Sequence, residues 1–286
     1  MSKSFAQVAS PSYDPVLLVV DALNLAFRWK HKKVSDFAVD YIRTVQSLRK
    51  SYKAKYVVIA ADWGSSSFRK SIYPEYKGNR EKLREEQTQQ EEEEFQQFLE
   101  DYSKTLELIR EQCQDWLILR YHKVEADDIA AHIATNIPDS IEHVWLISSD
   151  KDWDLLISDN VSRFSYVTTK EMTYDKFPEV YGVENPDQYL SVKCLMGDSG
   201  DNVPGVPKIG PKTAQKLVAE YGSALDIAAE LPIDGKYVYI KNLNAFGSDG
   251  ILLNYKLMDL RSFCDEAIGV ENVKDIDNKL NELYKQ

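Results

Sequence analysis

The sequence predicts an α/β chain, a doubly wound and mostly parallel sheet that gives way to a helical region towards its C-terminal end. Three observations carry that expectation. Apolar runs of strand length recur at residues 16–20, 56–61 and 144–147, unbroken by polar residues, as in strands buried on both faces. Segments with helical spacing separate them, the alternation that a parallel sheet requires. From Pro186 onward the strand-like runs cease, and helix and turn signals take over.

The first run, Val16-Leu-Leu-Val-Val, reaches Asp21 and continues as Ala-Leu-Asn, so the strand is expected to carry Asp21 at its C-terminal end. Residues 37–52 place Phe37, Tyr41, Val45 and Leu48 on one helical face, and the next strand is closed by Asp62. Open α/β sheets bind ligands at the carboxyl ends of their strands, so Asp21 and Asp62 are expected in one site. Residues 65–84 then interleave Phe68, Tyr73 and Tyr76 with Arg69, Lys70, Lys77, Arg80, Lys82 and Arg84. Rings to stack bases and cations to meet phosphates make up a single-strand nucleic-acid contact, with a solvated loop as the alternative. One long helix is expected over residues 81–114, polar until Phe95, Phe98, Leu99, Leu106 and Ile109 supply a stripe. Such a helix suits a lid or arch, or a plain surface element.

Trp116-Leu-Ile-Leu reads as the third strand, and residues 124–137 as a helix with Glu125, Asp127 and Asp128 in its first turn. Acidic residues there also cap a helix and offset its dipole, although three exceed what capping needs. The fourth strand runs from Val144 to Asp150, followed by Asp152; Asp154 is expected as the cap of the next helical turn, and residues 161–167 alternate as a further strand. Between 124 and 154, six carboxylates thus stand at the edges of core segments with almost no cation among them. Such a cluster repels itself unless a cation fills it, and a hard divalent ion such as Mg²⁺ or Mn²⁺ suits oxygen ligands. Phosphate-transfer chemistry is the expectation.

Beyond Pro186, a helix at 188–196 runs into Gly197-Asp198-Ser-Gly-Asp201-Asn202, then a Gly- and Pro-rich turn opens a helix at 212–221. Gly205 and Gly210 have the separation of a nucleotide-binding loop, but Pro211 displaces Lys212 by one residue and no strand precedes. A tight hairpin is the better expectation, with its amides and the following helix N-terminus gripping a duplex phosphate and Lys208 and Lys212 adding charge; an ordinary interhelical turn is the alternative. Residues 224–231, 238–243 and 251–260 read as packing helices, and the tail to Gln286 gives no clear pattern.

The chain has 286 residues and a net charge of −11, yet residues 1–84 hold 16 Lys and Arg against 7 Asp and Glu. A basic first part and an acidic remainder point to a localised polyanion-binding face. No apolar run approaches membrane-spanning length, and residues 1–15 lack the apolar core of a signal peptide, so a cytoplasmic protein without membrane contact is expected. Cys113, Cys194 and Cys264 are too far apart to suggest a zinc motif and are expected to be reduced.

Taken together, the ordered motifs resemble the structure-specific 5′ nucleases, the flap endonucleases and 5′-3′ exonucleases, especially the stand-alone bacteriophage type. They are Val-Asp-Ala-Leu-Asn at 20–24, Ala-Asp at 61–62, Pro-Glu-Tyr-Lys-Gly-Asn-Arg at 74–80, Val-Glu-Ala-Asp-Asp at 124–128, Ser-Ser-Asp-Lys-Asp-Trp-Asp at 148–154, and Met-Gly-Asp-Ser-Gly-Asp-Asn-Val-Pro-Gly-Val at 196–206. Ala22 stands where the family usually has Gly. The resemblance implies a PIN-like 5′-nuclease fold, with a catalytic domain at 1–190, a helical arch at about 74–114, and a helix-hairpin-helix-like region at 191–286. It implies one metal ion on Asp21, Asp62, Glu125, Asp127 and Asp128, and a second on Asp150, Asp152, Asp198 and Asp201, both Mg²⁺ with Mn²⁺ substituting. Lys77 and Arg80 are implied as active-site cations, Tyr76 as a stacking platform for the terminal base, and Lys208 and Lys212 as duplex contacts beside a monovalent cation such as K⁺. The implied activity is two-metal hydrolysis of DNA at a 5′ flap or free 5′ end next to a duplex, in replication or repair, by a monomer in the cytoplasm (the host's, if of phage origin), with unspecified replication proteins as further partners. A ribonuclease of the broader PIN-like class and a non-catalytic junction binder are the alternatives.

Overall fold

The structure, a computed structural model, describes residues 13–285 apart from the side chains of 81, 82, 84 and 85, so the contacts expected of Lys82 and Arg84 lie outside the described residues. Strands β1 (Asp14–Asp21), β2 (Ala54–Ala60), β3 (Trp116–Leu119), β4 (His143–Ile147), β5 (Val161–Ser165) and β6 (Lys170–Met172) form one sheet in the order β3-β2-β1-β4-β5-β6. The first five pair in parallel and β6 runs antiparallel to β5. Helices α1 (Ala22–His31), α2 (Ala38–Ser51), α3 (Ser67–Ile72), α4 (Gly78–Glu85), α5 (Gln89–Gln112), α6 (Ala126–Thr135) and α7 (Phe177–Tyr181) connect or follow the strands. The rest is helical: α8 (Pro186–Met196), α9 (Pro211–Tyr221), α10 (Ala224–Glu230), α11 (Val238–Met258), bent at Gly247, α12 (Leu260–Ile268) and α13 (Val270–Tyr284).

Successive strand residues point to opposite faces, which divides the core. Val16, Leu18 and Val20 pack with Leu25, Tyr41, Leu106 and Ile109 beneath α1, α2 and α5. Leu17 and Val19 pack on the other face with Ile129 of α6 and with Leu260, Cys264, Ile276 and Leu280 of the last two helices. A third cluster lies among α8 to α11 and takes in Leu155, Ile157 and Phe177. The tail that gave no clear pattern thus forms two helices that cover the sheet, and the boundary expected near residue 190 falls inside α8.

Two helical expectations change. The first strand ends at Asp21 because its Oδ1 accepts the Asn24 amide at 3.2 Å and starts α1, so Ala-Leu-Asn is helical. The single helix expected over 81–114 is two: Thr88 and Glu91 form a reciprocal capping box that starts α5 afresh after α4 ends at Glu85. The chain builds β1, β2 and β3 outward and then returns to place β4 on the other side of β1, so the crevice opens at the carboxyl ends of β1 and β4.

Candidate metal centre

Asp21 ends β1 at this crevice, and Asp150 stands just beyond β4. Asp21 is buried, and its Oδ2 accepts from the Ser148 hydroxyl at 2.7 Å. Asp62, past β2, accepts the Ala126 amide at 2.9 Å, which ties it to the start of α6. Asp127 accepts from the indole N–H of the fully buried Trp153 at 2.6 Å. Asp150 caps the 3₁₀ turn Lys151–Leu156 by accepting the Asp152 amide at 2.9 Å. None of these four carboxylates forms an ion pair among the described residues. Burial raises the pKa of each, and neighbouring carboxylates add to it: Asp62 for Asp21, Asp150 for Asp127, Glu125 for Asp62, Asp152 for Asp150.

The other candidates meet protein cations. Lys77 Nζ is 2.7 Å from Glu125 Oε1 and 3.8 Å from Asp201 Oδ2, and Arg80 donates to Asp201 at 2.7 Å. Lys193 pairs with Asp152 and lies 3.3 Å from Asp198, which also accepts the Gly200 amide at 2.8 Å. Burial acts to raise the pKa of Glu125 and Asp198, but Lys77 and Arg69 at the first and Lys193 at the second outweigh it, and both stay below the usual carboxylate range. A cavity of about 20 Å³ lined by Asp127, Asp152, Asp198 and Asp201 joins the two groups, enough for one water-sized species. An all-oxygen donor set with four unpaired carboxylates fits a hard divalent cation.

Three expectations are corrected here. Tyr76 offers no stacking face: its ring is 2% exposed, and its hydroxyl donates to Glu125 at 3.1 Å and Asp201 at 3.0 Å. Its neighbour Phe68 stacks on Phe263, so aromatics of the basic segment turn towards the core. Asp128 does not join the open cluster; its two oxygens accept from Arg69 at 2.7 and 2.8 Å in a fully buried pair, and Arg69 also donates to the Leu257 carbonyl. Asp154 is neither cap nor ligand: it is buried against Arg163, whose second contact, to the Ser148 carbonyl at 2.9 Å, steadies the loop leading to Asp150.

Lys208 and Lys212 stand exposed on the hairpin after α8. The Val206 amide donates to the Leu195 carbonyl at 2.8 Å, and the loop packs so closely that a Cβ on Gly205 would lie 1.8 Å from the Met196 oxygen. Gly210 starts α9 with no side-chain cap, and a Cβ there would meet nothing within 4 Å.

Residues 16–182 match the family model described as the 5′-3′ exonuclease N-terminal resolvase-like domain, and residues 184–279 the 5′-3′ exonuclease C-terminal SAM fold. The chain belongs to the 5′-3′ exonuclease family. It is a metal-dependent 5′ nuclease. This exonuclease is 42% identical over 253 residues to the flap endonuclease of Escherichia phage T5, a match covering 88% of this chain and 86% of that one. The 5′-3′ exonuclease of Buchnera aphidicola subsp. Schizaphis graminum is 34% identical over 187 residues, 65% of this chain and 60% of that one. A solved pseudo-enzyme–product complex of the phage T5 flap endonuclease with DNA and metal ions superposes with a TM-score of 0.90 at 39% identity, covering 95% of this chain and 100% of that one.

The residues that sequence reasoning missed in this exonuclease orient the carboxylates. Arg69 counted only as one cation of a basic segment, and Lys193 only as part of the helix expected at 188–196; a lone Lys beside Val192, Cys194 and Leu195 was the available signal. Trp153 carries no local signal of a role: it is buried in the core, and its N–H fixes Asp127. Trp153→Phe keeps the ring and removes that donor, so it is expected to weaken divalent-ion binding about 10- to 100-fold, the usual cost of losing a hydrogen bond behind a ligand. Titration calorimetry with Mn²⁺ checks this, and unchanged affinity would detach Trp153 from the centre.

Proposed function

We propose that this nuclease cuts DNA phosphodiesters near single-strand/duplex junctions, as a flap endonuclease and 5′-3′ exonuclease in replication or repair. Residues 1–190 carry most of the chemistry, region 191–286 adds Asp198 and Asp201 and makes the duplex contact, and the chain acts as a monomer. The observation that carries this reading is the group of four carboxylates that form no ion pair among the described residues, the buried Asp21, the half-buried Asp62 and Asp127 and the exposed Asp150, at the sheet's switch point beside the cation-paired Glu125, Asp152, Asp198 and Asp201. These eight carboxylates would hold two Mg²⁺ ions, replaceable by Mn²⁺, which when bound would supply a more acidic water and neutralise charge on the phosphate. Asp128 acts at one remove, keeping Arg69 against Glu125 and the start of α6.

Lys77 and Arg80 hold positive charge at the mouth of the site. Their partners Glu125 and Asp201 are themselves candidate ligands, so the two cations stand beside the carboxylates that would hold the metal, placed to offset charge on the scissile phosphate. The hairpin's open helix N-terminus with Lys208 and Lys212 suits a duplex phosphate, and the family resemblance extends to a monovalent cation such as K⁺ there. Phosphate contacts position without reading sequence, so junction geometry selects the substrate. With Mg²⁺, the protein is expected to cut a labelled 5′-flap oligonucleotide near its junction and to leave an unstructured single strand largely intact. The opposite preference would overturn the proposal, and equal cutting of RNA flaps would move it towards a ribonuclease.

Lys212→Ala is expected to weaken duplex binding and reduce the slope of log affinity against log salt by about one, leaving the turnover of bound substrate unchanged. Fluorescence anisotropy across a salt series reads this; an unaltered slope removes the hairpin contact.

A further inference from the structure

At the far end of α6 from the carboxylates, His132 lies buried with an acidic oxygen on each ring nitrogen: Asp265 Oδ1 is 2.7 Å from Nδ1, and Asp277 Oδ1 is 2.8 Å from Nε2. The two aspartates come from α12 and α13. A neutral imidazole has one N–H and one lone pair. If Nε2–H donates to Asp277, the Nδ1 lone pair confronts the Asp265 lone pair at 2.7 Å; the Asn136 amide, 3.4 Å from Nδ1, is at the limit of hydrogen-bond reach, and a cation shared by the two groups relieves the contact. That cation is either a proton or a metal ion.

The surroundings favour a metal ion. The buried Cys264 Sγ is 3.6 Å from the same Asp265 oxygen, and ligand atoms of His132, Cys264 and Asp265 all lie within 4.8 Å of one another. Nitrogen, sulfur and one carboxylate make a donor set for Zn²⁺, unlike the all-oxygen centre at the other end of α6. The Nε2 contact to Asp277 is the outer hydrogen bond that a metal-binding histidine ordinarily makes. A surface depression of about 780 Å³, lined by Thr135, Asn136, Cys264 and Asp265, gives an ion access and leaves room for a water as fourth ligand.

We propose that His132 Nδ1, Cys264 Sγ and the Asp265 carboxylate bind a thiophilic divalent cation of the Zn²⁺ type, with Asp277 orienting the ring. On binding, the S–H bond breaks, its proton leaves to solvent and a sulfur–metal bond forms. The ion joins α6 to α12, and through Asp277 to α13, so it staples the helix that begins with Glu125 and Asp127 to the C-terminal pair.

The test uses the full chain, stripped with a chelator and then titrated with Co²⁺ while excess Mg²⁺ fills the oxygen-only centre. A thiolate-to-Co²⁺ charge-transfer band in the near ultraviolet is expected, saturating at one ion per chain and abolished by added Zn²⁺. The band should be absent from C264S and retained in C113S and C194S. Should C264S fail to fold, D265N, altered at an exposed side chain, is expected to weaken Co²⁺ binding at least tenfold. No band in the unsubstituted chain, a band that persists in C264S, or full affinity in D265N overturns the proposal and leaves a proton bridging His132 and Asp265.

Discussion

Asp150→Asn is expected to slow Mg²⁺-dependent cleavage about 10³-fold, corresponding to roughly 4 kcal/mol of lost charge stabilisation. Asparagine keeps an oxygen for the Asp152 amide, so the 3₁₀ turn retains its cap and the fold is preserved. What disappears is one negative charge among the four carboxylates that form no ion pair among the described residues. Single-turnover rates on a labelled 5′-flap oligonucleotide measure the loss, and anisotropy with the same oligonucleotide should show binding changed by no more than about twofold, since the proposed phosphate contacts are Lys77, Arg80, Lys208 and Lys212. Full activity in this variant would remove Asp150 from the centre. Asp154→Asn, four residues on, is a control of the opposite kind: it disturbs the pair with Arg163 and acts on stability before catalysis.

Arg69→Met should cost 3–5 kcal/mol of folding stability at roughly the scale seen when one partner of a buried ion pair is removed. Asp128 has no exposed surface and both its oxygens accept from Arg69, while Glu125 and the Leu257 carbonyl share the same guanidinium. Methionine fills much of the volume and takes the donor from both Asp128 oxygens, while Glu125 keeps Lys77 and Tyr76. Urea denaturation measures the change. The double variant Arg69→Met, Asp128→Leu removes the stranded charge and is expected to recover a large part of the loss. A single variant within about 1 kcal/mol of the parent would mean that Asp128 takes up a proton at little cost, and that the pair is not what holds the start of α6.

The features legible in the sequence are those fixed by local physics. A strand buried on both faces must be a continuous apolar run, so β1, β2 and β4 are visible, and Asp21 and Asp62 at strand ends lead to the crevice. Three acids in one helical turn mark α6 for the same reason. Partner choice is different because it is set by topology. Nothing near Asp152 announces Lys193, 41 positions away, and nothing near Asp128 announces Arg69. Tyr76 illustrates the same gap in reverse: its composition suits stacking, but closure of α8 to α11 over the segment buries the ring and leaves only the hydroxyl facing the site. The break before α5 was written locally, in Thr88 and Glu91, and was outweighed by the helical composition on both sides.

The return of α12 and α13 onto the second face of the sheet bears on how the molecule comes apart. The family models divide the chain at residue 183, but Leu260, Cys264, Ile276 and Leu280 complete the apolar layer against which Ile129 and Ala130 of α6 are packed. Stability therefore does not divide where the sequence families do. A proteolytic cut in the connection after α11 would bare one side of the helix that carries Glu125 and Asp127, and thermal unfolding should pass through one transition rather than two. During synthesis, the nuclease centre becomes durable only after its most distant helix has emerged.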